Sequence, residues 1–479
     1  MKGVLTIELE TLGFDRLPGQ FEKLTKMYTL VFAVIIMTKT GVAMWLSTPI
    51  LKPYAGYVFH SFYLAVDIAA VLIVAKLAFN FKKFRELKFV AMIVAGVALK
   101  LLLLYLEDPG LLAVDAPPLW GHIQISFETG NEIAFEGAYH SRFKETYYFF
   151  VIIVYMLLSV DNFAVFKKIV LIGQLGFAVP TAVFLFRYPE VIGNRMYNPI
   201  SEHTGGGPLW QIGVVGFVSV FWMGLAVFNY CSRREKLLIE ICSVIIIIGG
   251  LAGVSRSLII SMAFSGLLFF VLISRNRTAR PIIIFVLILL GVAVFVQNDL
   301  AKDYLSRFSN SYEDTEVGRY TIWRSYLSHF PEYFLTGAPS KGYRLYGPQN
   351  LGPHNTLINW WCQFGLLSGV GFILMMYGLI RQAVAVRRLE KSDANQLTFA
   401  AIITWVMCYL SSCLINETGF LINEQALFFG MVLAAGKIFA TVRQEDGTIA
   451  MRMEFTRAEK RLQKRFAKKD KYYADKDGD

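Results

Sequence analysis

The decisive stretch begins Gly318-Arg319-Tyr320-Thr321-Ile322-Trp323-Arg324 and continues through Pro331-Glu332 and Gly337-Ala338-Pro339-Ser340-Lys341-Gly342-Tyr343 to Gly352-Pro353-His354-Asn355. It runs directly into a long apolar segment that passes Phe372. Connections between membrane spans are usually short, so a long one that gathers Arg, His and aromatic residues is a working surface and not a linker. The chain therefore reads as a membrane scaffold holding that surface at one face of the bilayer.

Composition agrees. The 479 residues are 55% hydrophobic and only 17% charged, with a mean hydropathy of +0.48, which excludes an ordinary soluble protein. Apolar runs recur at about 20 residues, the length that crosses a hydrocarbon core as a helix. Spans are expected at 27–48, 54–79, 88–105, 146–165, 168–187, 209–230, 237–254, 257–274, 281–297, 355–381, 397–416 and 421–441. The fold class is thus an all-α polytopic membrane protein of about twelve transmembrane helices. Residues 1–26, mixed polar with Phe14, Leu17, Phe21 and Leu24 near helical spacing, read as an amphipathic lead-in and not as a cleavable signal.

The net charge of +11 does not point to nucleic acid, because the basic residues sit in short loops and in the tail. Lys82-Lys83-Arg85-Lys88, Lys167-Lys168, Arg233-Arg234-Lys236, Arg275-Arg277-Arg280, Arg381-Arg387-Arg388-Lys391 and Lys460-Arg461-Lys464-Arg465 all fall on one side of a twelve-span chain. That side reads as cytoplasmic, with both termini. The domain division follows: 1–26 cytoplasmic, 27–297 the first nine spans, 298–354 an extracytoplasmic loop between the ninth and tenth, 355–441 the last three spans, and 442–479 a basic cytoplasmic tail that reads as a plain charged tail ahead of a binder of anionic membrane lipids. Cys231, Cys242, Cys362, Cys408 and Cys413 have neither disulfide nor metal-ligand spacing and read as small core residues. There is no phosphate-binding glycine loop, dinucleotide fingerprint, zinc spacing or nucleophile elbow, so no cofactor and no metal is expected.

On the opposite face Arg256 stands between two apolar segments. A guanidinium there is costly unless it snorkels, pairs with an acid such as Glu417 or Glu424, or meets an anion; the residues alone favour none of these. Arg319 and Arg324, interleaved with Tyr320, Trp323 and Tyr326, combine the cationic forks and aromatic faces that a sugar phosphate needs. Asn355 is a good N-cap, which places His354 just before a helix start, where an imidazole can act as base or hydrogen-bond partner. Arg187, Arg195 and Tyr343 are further candidates for substrate binding, with Arg324, Trp323 and Asn355. Lys39 and Asp67 lie at comparable depth in the first two spans, as a coupled transporter would have them, yet neither related halves nor interrupted helices are visible.

Ser255-Arg256-Ser257 between apolar segments, Gly318-Arg319 followed by Trp323, the Pro331 to Gly342 segment, and Gly352-Pro353-His354-Asn355 with Gly365 and Gly369 beyond it together resemble the bacterial O-antigen ligase and polymerase superfamily. The resemblance covers residues 250–375. It implies a fold similar to the class C glycosyltransferases and an inverting, metal-independent transfer. The donor would be an oligosaccharide on undecaprenyl diphosphate, presented at the periplasmic face of the inner membrane. Arg256 and Arg319 match the diphosphate-binding arginines and His354 the essential histidine, so these three are the catalytic candidates. The Gly318-Arg319 and Trp323 arrangement looks more like the polymerase branch, with the ligase as alternative and a transporter or lipid-linked-glycan flippase behind it. A chain-length regulator is a further candidate partner. The short interval from Arg319 to His354 and the large 106–145 segment depart from the family pattern and leave the acceptor open.

Overall fold

In hydrocarbon a backbone has to satisfy its own N–H and C=O groups, so apolar runs of this length fold as helices. The computed structural model describes residues 17–46, 55–79, 87–107, 138–189, 212–252, 256–274, 319–338, 343–348, 351–389, 393–415 and 423–445. Every regular element among them is helical. They are α1 Leu17–Leu46, α2 Ala55–Phe79, α3 Leu87–Glu107, α4 Ala138–Ser159 and α5 Phe163–Arg187. Next comes α6, in three pieces: π-wound Ile212–Phe221, α-helical Trp222–Val227 and a last turn Phe228–Tyr230. Then follow α7 Arg233–Ala252, α8 Arg256–Ser274, α9 Arg319–Ser328 and α10 Phe330–Tyr333. The chain closes with α11 Thr356–Leu389, α12 Asp393–Ile415, α13 Asn423–Leu433 and α14 Ala435–Glu445.

Among the described residues four segments are long and apolar enough to cross a membrane: Lys88–Glu107, Phe163–Arg187, Thr356–Arg388 and Gln396–Leu414. Shorter apolar helices occupy Thr146–Ser159, Val215–Tyr230, Phe264–Ile273 and Glu424–Leu433. The four shorter helices lie within expected spans and the four longer ones overlap them, Phe163–Arg187 reaching across two; the chain is a multi-pass, helical membrane protein. The expected span at 281–297 lies outside the described residues, as do 108–137 and the tail from 446.

Several boundaries differ from the sequence reading. Residues 17–26 of the expected lead-in belong to α1, which starts at Leu17 and continues into the first span, and residues 1–16 lie outside the described residues. The fourth and fifth spans part at residues 160–162 and not near 166, because the Asn162 side chain accepts the Val165 N–H and caps α5. The last span is two helices with a turn at Ala434. Within α6 the π-winding takes the Val220 carbonyl out of the ordinary ladder, and Gln174 of α5 donates to it at 2.6 Å.

Ring packing and side-chain bonds fix which helix ends lie together. Phe163, Tyr230 and Phe439 meet at one end, with ring centroids 4.9 and 5.2 Å from Phe163. Lys167 and Glu235 form an ion pair at 3.1 Å there, Lys236 lies over Phe228, and Arg387 lies over Phe399. The loop cations of α5, α7 and α11 are therefore gathered at this end, in keeping with the side that the charge pattern assigned them to.

Candidate active site

The opposite end carries His354, and packing shows what accompanies it. Ile239 lies beside Gly224 and Ile246 beside Gly216, so α7 runs antiparallel to α6. Thr398 Oγ1 donates to the Ala226 carbonyl at 2.8 Å, which sets the start of α12 at the cation-rich end and its Ile415 end opposite. Cys413 lies beside Thr356, so the start of α11 belongs to that same far end. Ala252 lies there too, and Arg256 opens α8 only four residues later. Arg187 ends α5 at the same level, because Phe177 packs on Gly216 while Gln174 reaches Val220. Three of the residues singled out from the sequence, Arg187, Arg256 and His354, thus share one end of the bundle.

Around His354 the chain is tied from both sides. The Trp323 indole N–H donates to the Pro353 carbonyl at 2.7 Å. Tyr326, one turn on, donates to the Leu351 carbonyl at 3.0 Å. On the other side the Asn355 side chain accepts the Ile358 N–H at 3.1 Å and caps α11, as its place before the apolar run suggests. Held between Pro353 and Asn355, His354 takes a φ of 45°, the one positive value for a non-glycine residue among the described residues. That conformation is disfavoured for a side chain with a Cβ and persists where its neighbours impose it. The result is an exposed imidazole on a fixed backbone.

Arg319 opens α9 one turn before Trp323, about 6 Å along the axis, on the helix that Trp323 ties to Pro353. Arg319 and Arg324 are both exposed. Arg187 is exposed as well and lies over the Tyr188 ring at 5.4 Å. Tyr343 begins the short turn Tyr343–Tyr346, whereas Arg195 lies outside the described residues. Trp323 spends its indole N–H, and Asn355 its side-chain oxygen, on backbone groups of this segment. Among the described residues no three His, Cys, Asp or Glu side chains converge as metal ligands.

Beneath this surface Ile322, Tyr326, Tyr333, Ala338, Tyr346 and Cys362 form a small core of their own, flanked by Trp323, Phe330, Leu351, Ile358 and Trp361. Tyr333 donates to the Tyr326 carbonyl at 2.9 Å and Ser325 to the Tyr346 carbonyl at 2.6 Å. Burial raises the Tyr333 phenol above its ordinary value, helped by Cys362 and Tyr346. Burial raises Tyr346 too, with the Glu332 carboxylate next in weight. Both phenols therefore stay protonated and act as hydrogen-bond donors. The described parts of the candidate loop, residues 319–338, 343–348 and 351–354, thus pack around a core of their own.

That unit is seated in a break of α11. Gly365 has φ 73° and ψ −166°, a region open in practice to glycine alone, so the helix ladder opens there. The exposed backbone groups are taken up by the loop: the Ala338 N–H donates to the Cys362 carbonyl at 2.6 Å, and the Leu366 N–H donates to the Leu335 carbonyl at 3.2 Å. Lys100, in the middle of apolar α3, donates through Nζ to the Ala338 carbonyl. The sequence reading weighed Lys39 and Asp67 as buried ionisable residues and passed over Lys100. Lys39 lies over the Phe62 ring at 4.3 Å and Asp67 is exposed, accepting from Tyr147, whereas Lys100 is 4% exposed. The available signal was a lone cation inside the apolar run 88–105.

An all-helical, multi-pass protein with Arg and His at one end of its bundle is the class that these features define. Residues 241–375 match the family model described as O-antigen ligase, a stretch that contains α8, α9, the His354 segment and the broken part of α11. The resemblance to the O-antigen ligase and polymerase superfamily is thereby borne out over that part of the chain. No curated protein matches the chain.

Proposed function

We propose that this protein is a membrane glycosyltransferase that polymerises a surface polysaccharide such as O-antigen. Its site would lie at the periplasmic face of a twelve-span chain in the inner membrane, both termini being cytoplasmic. The donor is an oligosaccharide on undecaprenyl diphosphate and the acceptor the end sugar of a second lipid-linked repeat. The observation that carries this reading is the exposed His354, flanked by backbone that Trp323 and Asn355 hold at the helix mouth, within the stretch that matches the O-antigen ligase family. His354 orients the acceptor hydroxyl and receives its proton. The hydroxyl oxygen attacks the anomeric carbon from the face opposite the diphosphate, and the carbon–oxygen bond to the diphosphate breaks with its electron pair leaving on the phosphate. Arg256 and Arg319 neutralise the charge that builds there, a stabilisation largest in the transition state. Arg187, Arg195 and Arg324, with Tyr343, extend the anion and sugar contacts, and a chain-length regulator docks on the apolar flanks.

The description of the matched family favours a second reading, a ligase that hands the finished glycan to lipid A–core. One experiment separates them: the surface polysaccharide profile of a strain lacking the gene and complemented with wild-type or His354→Ala protein. A core bearing a single repeat in the deletion and mutant strains supports the polymerase. A bare core with polymer retained on the lipid carrier supports the ligase. An unchanged profile in the His354→Ala strain overturns the catalytic histidine. Arg256→Ala and Arg319→Ala are expected to abolish assembly at unchanged protein level in the membrane.

A further inference from the structure

A lysine in the middle of an apolar helix is expensive, and it persists when its ammonium finds an acceptor. Lys100 faces α11 along a closely packed seam. Ile93 lies beside Gly371, a Cβ on Gly96 would overlap Ser368, and Ser368 donates to the Ile93 carbonyl at 3.0 Å. One to two turns further along α3 the seam reaches Cys362, where the loop segment Leu335–Ala338 enters the opened helix. The acceptor for Lys100 is the carbonyl of Ala338, whose N–H holds the Cys362 carbonyl from the other side. Ala338 and Cys362 are both 0% exposed. Non-helical backbone at this depth is tolerated only where protein groups satisfy it, and Lys100 supplies such a group from a different helix.

We propose that Lys100 is a positioning residue for glycan transfer: its bond to Ala338 latches the loop that carries Arg319 and Trp323 into the break of α11, and so holds Arg319 and His354 in register. The inference rests on the transferase reading for its consequence but not for its geometry. From Ala338 the latch is transmitted through Gly337, whose N–H donates to the Tyr333 carbonyl, through Tyr333 to Tyr326, and through Tyr326 and Trp323 to the backbone at Leu351 and Pro353. Lys100 is buried behind Ala338 and does not reach the surface where a substrate would lie, which is why its effect is on geometry and not on binding.

The test uses a chain in which Cys231, Cys242, Cys408 and Cys413 are replaced by alanine or serine and which reaches the membrane at the wild-type level, leaving Cys362 as the one thiol. N-ethylmaleimide labelling of Cys362 in membranes reads the latch. Transfer to an acceptor, with a purified lipid-linked donor, reads its consequence. In Lys100→Met the labelling rate is expected to rise at least fivefold and kcat to fall at least tenfold, with the donor KM changing less than threefold. Lys100→Arg, which keeps a donor of similar reach, is expected to restore both. Lys100→Gln serves in place of the Met variant should that fail to reach the membrane. Protected Cys362 in a folded Met or Gln variant, or raised labelling with unchanged kcat, overturns the proposal. Loss of both the Met and Gln proteins while the Arg protein persists assigns Lys100 to folding and overturns it equally. A fivefold rise in labelling with no transfer by the wild-type protein would leave the latch standing and remove the transferase reading.

Discussion

Replacing Gly365 by alanine tests whether the break in α11 is what seats the candidate loop. The backbone at φ 73°, ψ −166° is strained for any residue with a Cβ, on the order of 1–3 kcal/mol. A Cβ there would also overlap the Leu335 carbonyl oxygen and press on the Gly337 nitrogen at 2.9 Å. The variant escapes by straightening the helix, which breaks the Ala338 to Cys362 and Leu366 to Leu335 bonds, at about 1 kcal/mol each. Alanine recovers up to about 1 kcal/mol over glycine in a continuous helix. The net cost to the docked loop is about 2–4 kcal/mol, a shift of roughly thirtyfold to several hundredfold toward the undocked form. The bulk of the bundle lies elsewhere and is untouched. Gly365→Ala is therefore expected to reach the membrane at the wild-type level and to lose most glycan assembly, read as the polysaccharide profile of the complemented strain beside an immunoblot of the membranes. Full assembly by an abundant Gly365→Ala protein would refute the idea that the break holds the loop in place.

Three smaller perturbations probe the neighbouring links. Asn355→Ala removes the cap of α11 and is expected to cost about 1 kcal/mol, seen as a lower Tm in detergent that Asn355→Asp largely restores. Trp323→Phe keeps the ring but drops the bond to Pro353, so transfer should fall by roughly fivefold to tenfold, for a bond of about 1 kcal/mol, while the protein level holds; unchanged transfer would detach that bond from the site. Glu235 accepts the Ser232 N–H, which with Lys167 holds its carboxyl below the ordinary carboxylate value. Its contribution to stability is thus fully present above about pH 4.3 and is lost as the pH falls through the lower folded value. The Tm difference between wild type and Glu235→Gln should be present at pH 7 and shrink below about pH 4, and a difference that grows on acidification would contradict the assignment.

Much of this was legible in the order of residues. Apolar runs of about 20 have few structures open to them in hydrocarbon, so the helical, multi-pass class followed from run length alone. The cap at Asn355 was legible for the same kind of reason, because an N-cap is local chemistry between a side chain and an N–H three residues on. Gly365 and Gly369 stood out as members of a pattern, but their tasks did not. Whether a glycine breaks a helix or admits the indole of Trp361 depends on what packs against it. The parting of α4 and α5 was misplaced because two polar pairs, Asp161-Asn162 and Lys167-Lys168, interrupt the apolar run; the charge of the second marked it as the loop, whereas the capping bond of Asn162 sets the break at the first.

What the sequence determined by itself, then, is the class of the protein, the clustering of its charge and the stretch where chemistry is expected, since these depend on the solvation of single segments. Tertiary structure decided the rest. The bond from Trp323 to the Pro353 carbonyl beside His354, the seat of the loop in α11 and the bond from Lys100 to Ala338 all join residues far apart in the chain. Hydropathy and spacing report how a segment meets lipid or water; they carry no information about which distant carbonyl a buried ammonium will find.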